Sequence, residues 1–318
     1  MKKCKRCGSI LSDNCRFCCY CGSTVPKYQS FGRIVLGFFQ SIAFVLLYTV
    51  IQYVVSIAAT VIISVVETAK GSVYSDPNQL TELILSYTGH ISIICAVLAV
   101  GAVFLWFGLI RKKDLKEEIG LRFSLPGMIP VLILLGVALN YFVSIGMAFI
   151  PFPEEIIQNY NDTYKYLENA DPVVNFITTA VCAPIVEELI FRAACFGKLR
   201  RIMPKAAADI ISAAIFGLAH GNVFSFIFTS LIGAVLALIY DESDSVFAPM
   251  LVHFGFNAGS YLVTMMSEMP LLLLIAFAVS ATVSAGCFAL VIIKYRNKKA
   301  ATPRQYFASF PGNYTMPF

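Results

Sequence analysis

The chain has 318 residues, of which 58% are hydrophobic and only 14% are charged, and its mean hydropathy is +0.75. Soluble domains hold roughly 25% charged and 45–50% apolar residues, so this composition excludes a soluble globular protein and indicates a polytopic membrane protein. The formal net charge of +5 is small for this length. Lys and Arg concentrate in loops and near both ends, a pattern that reflects membrane topology, and we expect no nucleic-acid partner.

Six of the ten cysteines lie within the first 21 residues. Two C-x-x-C pairs, each followed by a glycine, predict a closed tetrahedral structural zinc site at Cys4, Cys7, Cys18 and Cys21. Residues 1–26 resemble the minimal zinc ribbon at the N-terminus of many bacterial membrane proteins. Cys15 and Cys19 are surplus and leave a different ligand pairing open, and a disulfide cluster is the competing interpretation. A site with four protein ligands has no open position for catalysis, so we assign it to regulation or to a cytoplasmic partner.

The remainder predicts an all-α bundle of about eight transmembrane helices over residues 27–299, followed by a flexible tail at 300–318. The predicted spans are 34–66, 90–110, 127–150, 172–196, 206–220, 223–240, 246–266 and 270–293. Spans five and six are separated only by Gly221 and Asn222, which predicts a tight turn. Residues 241–245 read as a short acidic loop. Basic clusters at 111–113, 198–201 and 294–299 fall on one side, whereas the loops 67–89 and 151–171 are acidic. We therefore expect a multi-pass protein of the cell membrane with both termini in the cytoplasm.

Span four contains two adjacent carboxylates and a guanidinium, Glu187, Glu188 and Arg192. A charged residue at the centre of a spanning helix costs roughly 2.5–3.5 kcal/mol, so this set indicates function. Glu188 and Arg192 are four residues apart and share a helix face, which predicts an ion pair. Glu187 points about 100° away on the helix, with no partner of its own. A desolvated carboxylate without a paired cation is suited to act as a general base.

Two of the three histidines lie in the spans that follow. His220 shares a helix face with Phe216, and His253 shares one with Asn257, because each pair is four residues apart. A buried acid with two imidazoles and an amide can move a proton and stabilise an oxyanion. Glycines around both motifs would let helices approach closely.

The order and spacing of these motifs, over about residues 171–267, resemble the CAAX protease and bacteriocin-processing family of intramembrane endopeptidases. The resemblance implies about eight membrane helices around a catalytic cavity that opens to the cytoplasm, and cleavage of a peptide bond. Some members remove the last three residues of prenylated proteins, and bacterial members are linked to peptide maturation or to immunity against the cell's own bacteriocins. A zinc ribbon joined to this domain favours a bacterial peptide or membrane protein as substrate.

Our mechanistic hypothesis is that Glu187 takes a proton from a water that attacks the scissile carbonyl. His220 would orient that water or protonate the leaving amine, and His253 with Asn257 would stabilise the oxyanion.

Arg192 would hold Glu188 in place. In an alternative mechanism, His220, His253 and a glutamate bind a catalytic zinc. Cys182 and Cys195 flank the motif, so a cysteine protease is a third mechanism.

Two other classes of function compete with an endopeptidase. The motif helices could bind a peptide without cleaving it, in a membrane scaffold or a bacteriocin self-immunity protein. Glu187 and the histidines could also form the proton relay of a transporter, although the sequence has no inverted repeat.

Overall fold

The computed structural model describes residues 2–3, 10–11, 31–72, 77–112, 114–123, 125–165, 171–261 and 270–301. At the N-terminus, β1 (Lys2–Lys3) and β2 (Ile10–Leu11) pair antiparallel, with Lys2 opposite Leu11. The four predicted zinc ligands, Cys4, Cys7, Cys18 and Cys21, lie outside the described residues, and so does the tail from residue 302 onward.

The rest of the described chain is helical. The helices are α1 (Phe31–Ala69), α2 (Pro77–Ser86), α3 (Thr88–Phe104), α4 (Leu115–Glu118), α5 (Ile129–Ala148), α6 (Glu154–Tyr164), α7 (Pro172–Phe176), α8 (Ala183–Glu187), α9 (Gly197–Ile202), α10 (Lys205–Leu218), α11 (Val223–Ser243), α12 (Phe247–Ser260) and α13 (Pro270–Ala301). The helical content agrees with the all-α prediction.

Helices α7, α8 and α9 are parts of one continuous helix over residues 172–202, here called the motif helix, which also contains π-helical segments at Ile177–Cys182 and Glu188–Phe196. The side chain of Asp171 begins it by accepting hydrogen bonds from the backbone N–H groups of Val173 and Val174. Pro184 lacks an N–H group and cannot donate to the preceding turn, which is a physical reason for an irregular ladder there. π-Helical turns occur frequently at functional sites.

Six helices in the described residues are long and apolar enough to cross a membrane, at Ile34–Ala69, Thr88–Ile110, Pro126–Ala148, Pro172–Ile202, Val223–Ser243 and Leu271–Lys298. Two further predicted spans, 206–220 and 246–266, correspond to α10 and α12, each of 14 residues. At 1.5 Å per residue each is about 21 Å long, which is shorter than a hydrocarbon core of about 30 Å. Within the described residues, therefore, the structure supports six of the eight predicted spans.

The loops differ from the prediction in three places. The acidic loops at 67–89 and 151–171 contain α2 and α6, because both hold short amphipathic sequences. The predicted acidic loop at 241–245 is instead mostly the end of α11, which continues to Ser243 and ends at Asp244 in the left-handed conformation (φ 50°). Asp241 is tied to the motif helix by Arg200 and is also paired with Lys205.

The turn at Gly221 and Asn222 forms as predicted. Gly221 has φ +79°, a conformation that favours glycine, and the Asn222 side chain accepts from the backbone N–H of Ser225 to begin α11. The close helix approach predicted for the glycines around the histidine motifs is present at Gly255, where a Cβ would overlap the backbone oxygen of Ile133 on α5. Helices α5 and α12 therefore pack backbone against backbone, and this contact fixes the position of His253 and Asn257 on α12.

Candidate active site

Glu188 is the centre of a buried charge cluster on the motif helix. Its Oε2 lies 3.0 Å from Nε of Arg192, one turn further along, and neither side chain has exposed surface. The contact is an ion pair without the alignment of a hydrogen bond. The guanidinium also lies over the ring of Phe216, with 4.5 Å from Cζ to the ring centroid, as in a cation–π interaction. The pairing predicted from the spacing is thus present.

His253 of α12 lies between the two carboxylates. Its Nδ1 is 2.9 Å from Glu188 Oε1, and its Nε2 is 3.8 Å from Glu187 Oε2. Because an ionised carboxylate only accepts, the Nδ1–H of His253 donates to Glu188. Glu187 is the more accessible acid, with 17% of its side chain exposed against none for Glu188. Glu187 Oε2 has no hydrogen-bond partner among the described residues, as expected, although the packing of α12 brings an imidazole within 4 Å of it.

His220 is oriented by its own helix. Its Nδ1 lies 2.8 Å from the backbone oxygen of Phe216, and a carbonyl oxygen only accepts, so Nδ1 carries the hydrogen. The lone pair of the neutral ring is therefore on Nε2. The Phe216 ring packs edge-on against both imidazoles, with centroid distances of 4.8 Å to His220 and 5.9 Å to His253. The two histidines, 33 residues apart in the sequence, thus contact one aromatic ring.

Asn257 lies one turn beyond His253 and faces the motif helix. Its Nδ2 donates a 2.8 Å hydrogen bond to the backbone oxygen of Thr179, which lies in the first π-helical segment. One amide hydrogen of Asn257 is therefore engaged by the backbone, and the second remains for another acceptor.

A cavity of about 940 Å³ brings four of the six predicted residues together, since Glu187, His220, His253 and Asn257 all line it. Glu188 and Arg192 are not in its wall and lie fully buried. The sequence analysis missed Asn140, which also lines the cavity and whose buried Oδ1 has no hydrogen-bond partner in the described part of the chain. A lone amide in an apolar span was the signal that could have identified it.

Helix α6 contributes tyrosines to the same cavity. The hydroxyl groups of Tyr164 and Ser225 lie 3.2 Å apart, which ties α6 to the start of α11. Burial raises the pKa of Tyr164; the hydrogen bond with Ser225 lowers it in part, and the negative charge of Glu187 raises it further. Tyr164 and Glu187 line the same cavity, so this helix outside the long spans lies close to the proposed base.

The cysteine mechanism and the zinc mechanism each require a particular set of side chains at the cavity. Neither Cys182 nor Cys195 lines the cavity, and Cys195 is fully buried. In the part of the chain that the structure describes, no group of three or more His, Cys, Asp or Glu side chains has an arrangement that could hold a metal ion. The three-ligand set of the zinc mechanism is therefore not assembled by His220, His253 and a glutamate in this arrangement.

Comparison with known proteins identifies similarity over the same region. The family model described as type II CAAX prenyl endopeptidase Rce1-like matches residues 169–259. A protein of Bacillus subtilis (strain 168) with the name "Putative membrane peptidase YdiL" is 25% identical to this chain over 194 residues, which are 58% of this chain and 75% of that protein. No solved structure matches. The chain is thus similar to CAAX-type membrane peptidases across the segment that carries the paired glutamates and both histidine motifs.

Proposed function

We propose that the protein is a membrane-embedded endopeptidase that hydrolyses a peptide bond in a peptide or membrane protein with a water activated by Glu187. The observation that carries this proposal is the position of His253 between two carboxylates at the wall of the cavity. The similarity to membrane peptidases over residues 169–259 supports the same class of reaction.

Glu187 is the general base in this mechanism. Its Oε2 is buried without a hydrogen-bond partner in the described residues, and it lies 3.8 Å from His253 Nε2. A water that contacts Glu187 from the cavity can give it a proton as the water oxygen attacks the scissile carbonyl carbon. His220 Nε2 orients the water or transfers the proton held by Glu187 to the leaving amine as the C–N bond breaks, which returns Glu187 to its ionised form.

The oxyanion is stabilised by donors on α12. His253 donates to Glu188 through Nδ1, and in the cationic form of the ring its Nε2–H would donate into the cavity. The amide hydrogen of Asn257 that does not bond to Thr179 is the second donor. Both donors belong to a helix that packs tightly on α5, so little reorganisation is needed when negative charge develops.

Glu188 and Arg192 are positioning residues in this proposal. Glu188 uses one carboxylate oxygen for Arg192 and the other for His253, so the ion pair sets the orientation of the imidazole. Neither residue lines the cavity, and neither contacts substrate.

Glu187 activates the water directly in this mechanism, and no step passes through a catalytic metal. We retain the structural zinc at Cys4, Cys7, Cys18 and Cys21 as a proposal from the sequence, together with its role in binding a cytoplasmic partner. Metal content per chain, measured for the full protein and for a variant with these four cysteines changed to serine, tests that assignment.

The test of the proposed function is cleavage of a quenched peptide library by the purified full-length protein and by Glu187→Gln. General-base catalysis contributes typically 10²–10⁴-fold, so we expect the variant to lose at least about 100-fold in rate while its thermal unfolding is unchanged. The control is Glu117→Gln, an exposed acid far along the chain from the site. Full activity of Glu187→Gln would refute the assignment, and cleavage by neither protein would favour the scaffold or self-immunity function.

A further inference from the structure

We infer that the cavity opens on the extracytoplasmic side of the membrane, so that its substrate is a polypeptide segment outside the cytoplasm. That a substrate enters the cavity rests on the proposed peptidase function, whereas the side of access does not. The inference differs from the cytoplasmic opening implied by the family resemblance. It follows from the position of the cavity along the helices and from the distribution of charge between the two ends of the bundle.

The bundle has a basic end, defined by the start of α1 and by the ends of the motif helix, α11 and α13. Ion pairs hold these segments together: Arg200 with Asp241 at 3.0 Å, Arg201 with Glu118 at 2.7 Å, and Arg296 with Glu242 at 3.1 Å. A Cβ on Gly37 of α1 would lie 2.9 Å from the Ile202 side chain, so α1 begins beside the end of the motif helix. These contacts place the connecting loops at this end of the bundle at the same depth along the helix axes.

The opposite end is acidic. It holds the end of α1, helix α6, and the start of the motif helix and of α11. Glu154, Glu155 and Asp162 lie on α6, and Asp171 begins the motif helix. The ring of Phe152 packs on Phe224 at the start of α11. These contacts group the acidic segments together at the level where the motif helix begins.

The charge difference between the ends is large in the sequence. Of the 24 Lys and Arg, only Lys70, Lys165 and Arg192 lie outside the segments that adjoin the basic end. Arg192 is buried inside the bundle, so two basic residues remain for the acidic end. Short loops rich in Lys and Arg stay in the cytoplasm, which assigns the basic end to the cytoplasm and the acidic end to the outside.

The cavity lies in the acidic half. On the motif helix its wall runs from Asn175 past Glu187 to Phe191, which is a stripe of about 24 Å that starts near the acidic end. The other helices also line the cavity with the parts that are nearer the acidic end. These are the last residues of α10, the first half of α11 and the second half of α12. The parts of these three helices nearer the basic end do not line it.

Between Glu187 and the basic end, the interior side of the motif helix is packed, and a second cavity of about 560 Å³ at the basic end, between α1, residues 102–111 and the motif helix, shares no lining residue with the first. Arg192 and Leu199 have no exposed surface, and Phe196 is 2% exposed. Tyr240 of α11 covers this layer, with its ring 6.1 Å from that of Phe196. A peptide cannot pass through a layer packed at this density, so the acidic end is the route to Glu187 for a water-soluble segment.

The substrate class that fits this geometry is a secreted peptide or the extracytoplasmic end of a membrane-spanning segment. A polypeptide that enters from this side passes α6 and its tyrosines before it reaches Glu187.

The experiment is thiol labelling of three single substitutions in the full-length protein, in intact cells and in permeabilised cells, with a membrane-impermeant maleimide. Asp162→Cys on α6 reports the acidic end, Glu117→Cys reports the basic end, and Ser260→Cys reports the cavity wall; all three positions are exposed. The unsubstituted protein gives the background from the native thiols. We expect Asp162→Cys and Ser260→Cys to label in intact cells and Glu117→Cys to label only after permeabilisation.

Labelling of Ser260→Cys only after permeabilisation, or of Glu117→Cys in intact cells, would overturn the inference. Labelling requires no catalysis, so its outcome is separate from that of the peptidase proposal. In a second arm, a cleavable peptide is added to intact cells and to sealed inside-out vesicles, each with the Glu187→Gln variant as control. We expect Glu187-dependent cleavage in the cells and its loss in the vesicles; the reverse would overturn the inference, and cleavage in neither would count against the peptidase.

Discussion

Glu188 and Arg192 form an ion pair in which 3.0 Å separates Oε2 from Nε, and neither side chain has any exposed surface. Two charges withdrawn from water in this way stabilise little as a pair, but each compensates the burial cost of the other. The pair also orients an imidazole of the candidate active site, because the second oxygen of Glu188 accepts a hydrogen bond from His253.

Removal of either charge should destabilise the protein strongly. We expect Glu188→Gln and Arg192→Met each to lower the free energy of unfolding by about 3–5 kcal/mol, because the remaining charge is buried without compensation. The double variant should lose less than the sum of the two. Reversible unfolding in detergent measures these values, and Lys70→Met, at an exposed pair with Glu67, should change them by less than about 1 kcal/mol. Additive losses would contradict the coupling.

His220 should be needed for catalysis but not for folding. We expect His220→Ala to reduce the rate of peptide cleavage by about 10²–10⁴-fold, since the ring that orients water or protonates the leaving group is lost. The matched control is His90→Ala, the exposed histidine at the start of α3, which should retain full activity. Equal effects of the two substitutions would remove His220 from the mechanism.

The contact between α5 and α12 should be intolerant of one added methyl group. In Gly255→Ala the new Cβ would overlap the backbone oxygen of Ile133, so α12 must move together with His253 and Asn257. We expect a loss of about 1–3 kcal/mol in the free energy of unfolding and a lower cleavage rate. Gly101→Ala on α3 is the control, because no atom lies within 4 Å of its new Cβ.

In the control, alanine should leave activity unchanged and could stabilise the helix by up to about 1 kcal/mol. Thermal unfolding and cleavage assays on both variants measure the difference. A Gly255→Ala protein as stable and active as Gly101→Ala would show that α5 and α12 are not in backbone contact.

Tyr164 should make the stability depend on pH in the alkaline range. Burial raises the pKa of its hydroxyl in the folded state above the value of about 10 in the unfolded chain. Above that pH the unfolded chain loses this proton while the folded protein keeps it, so the free energy of unfolding falls as pH rises. Tyr164→Phe should reduce this slope, whereas Tyr53→Phe at an exposed position should not. Unfolding midpoints measured below and above about pH 10 test this.

Features that depend on spacing within one helix could be predicted from the sequence. The ion pair of Glu188 with Arg192 and the shared face of Phe216 and His220 follow from the helical repeat. The turn at Gly221 and Asn222 follows from residue types that favour that backbone. The apolar composition determined that the chain is a bundle of membrane helices, because only long apolar helices satisfy their backbone groups in lipid.

The contacts between helices were decided by the tertiary structure alone. His253 lies 65 residues from Glu188 in the sequence, and Asn257 lies 78 residues from Thr179, yet each pair is within 3 Å. No periodicity within a helix encodes such pairs, since they depend on the rotation and depth at which α12 packs against the motif helix. The same packing places Asn140 in the cavity wall and buries Phe196 between the motif helix and α11. The sequence therefore determined which residues could carry the chemistry, and the packing of the helices determined which of them meet at the cavity.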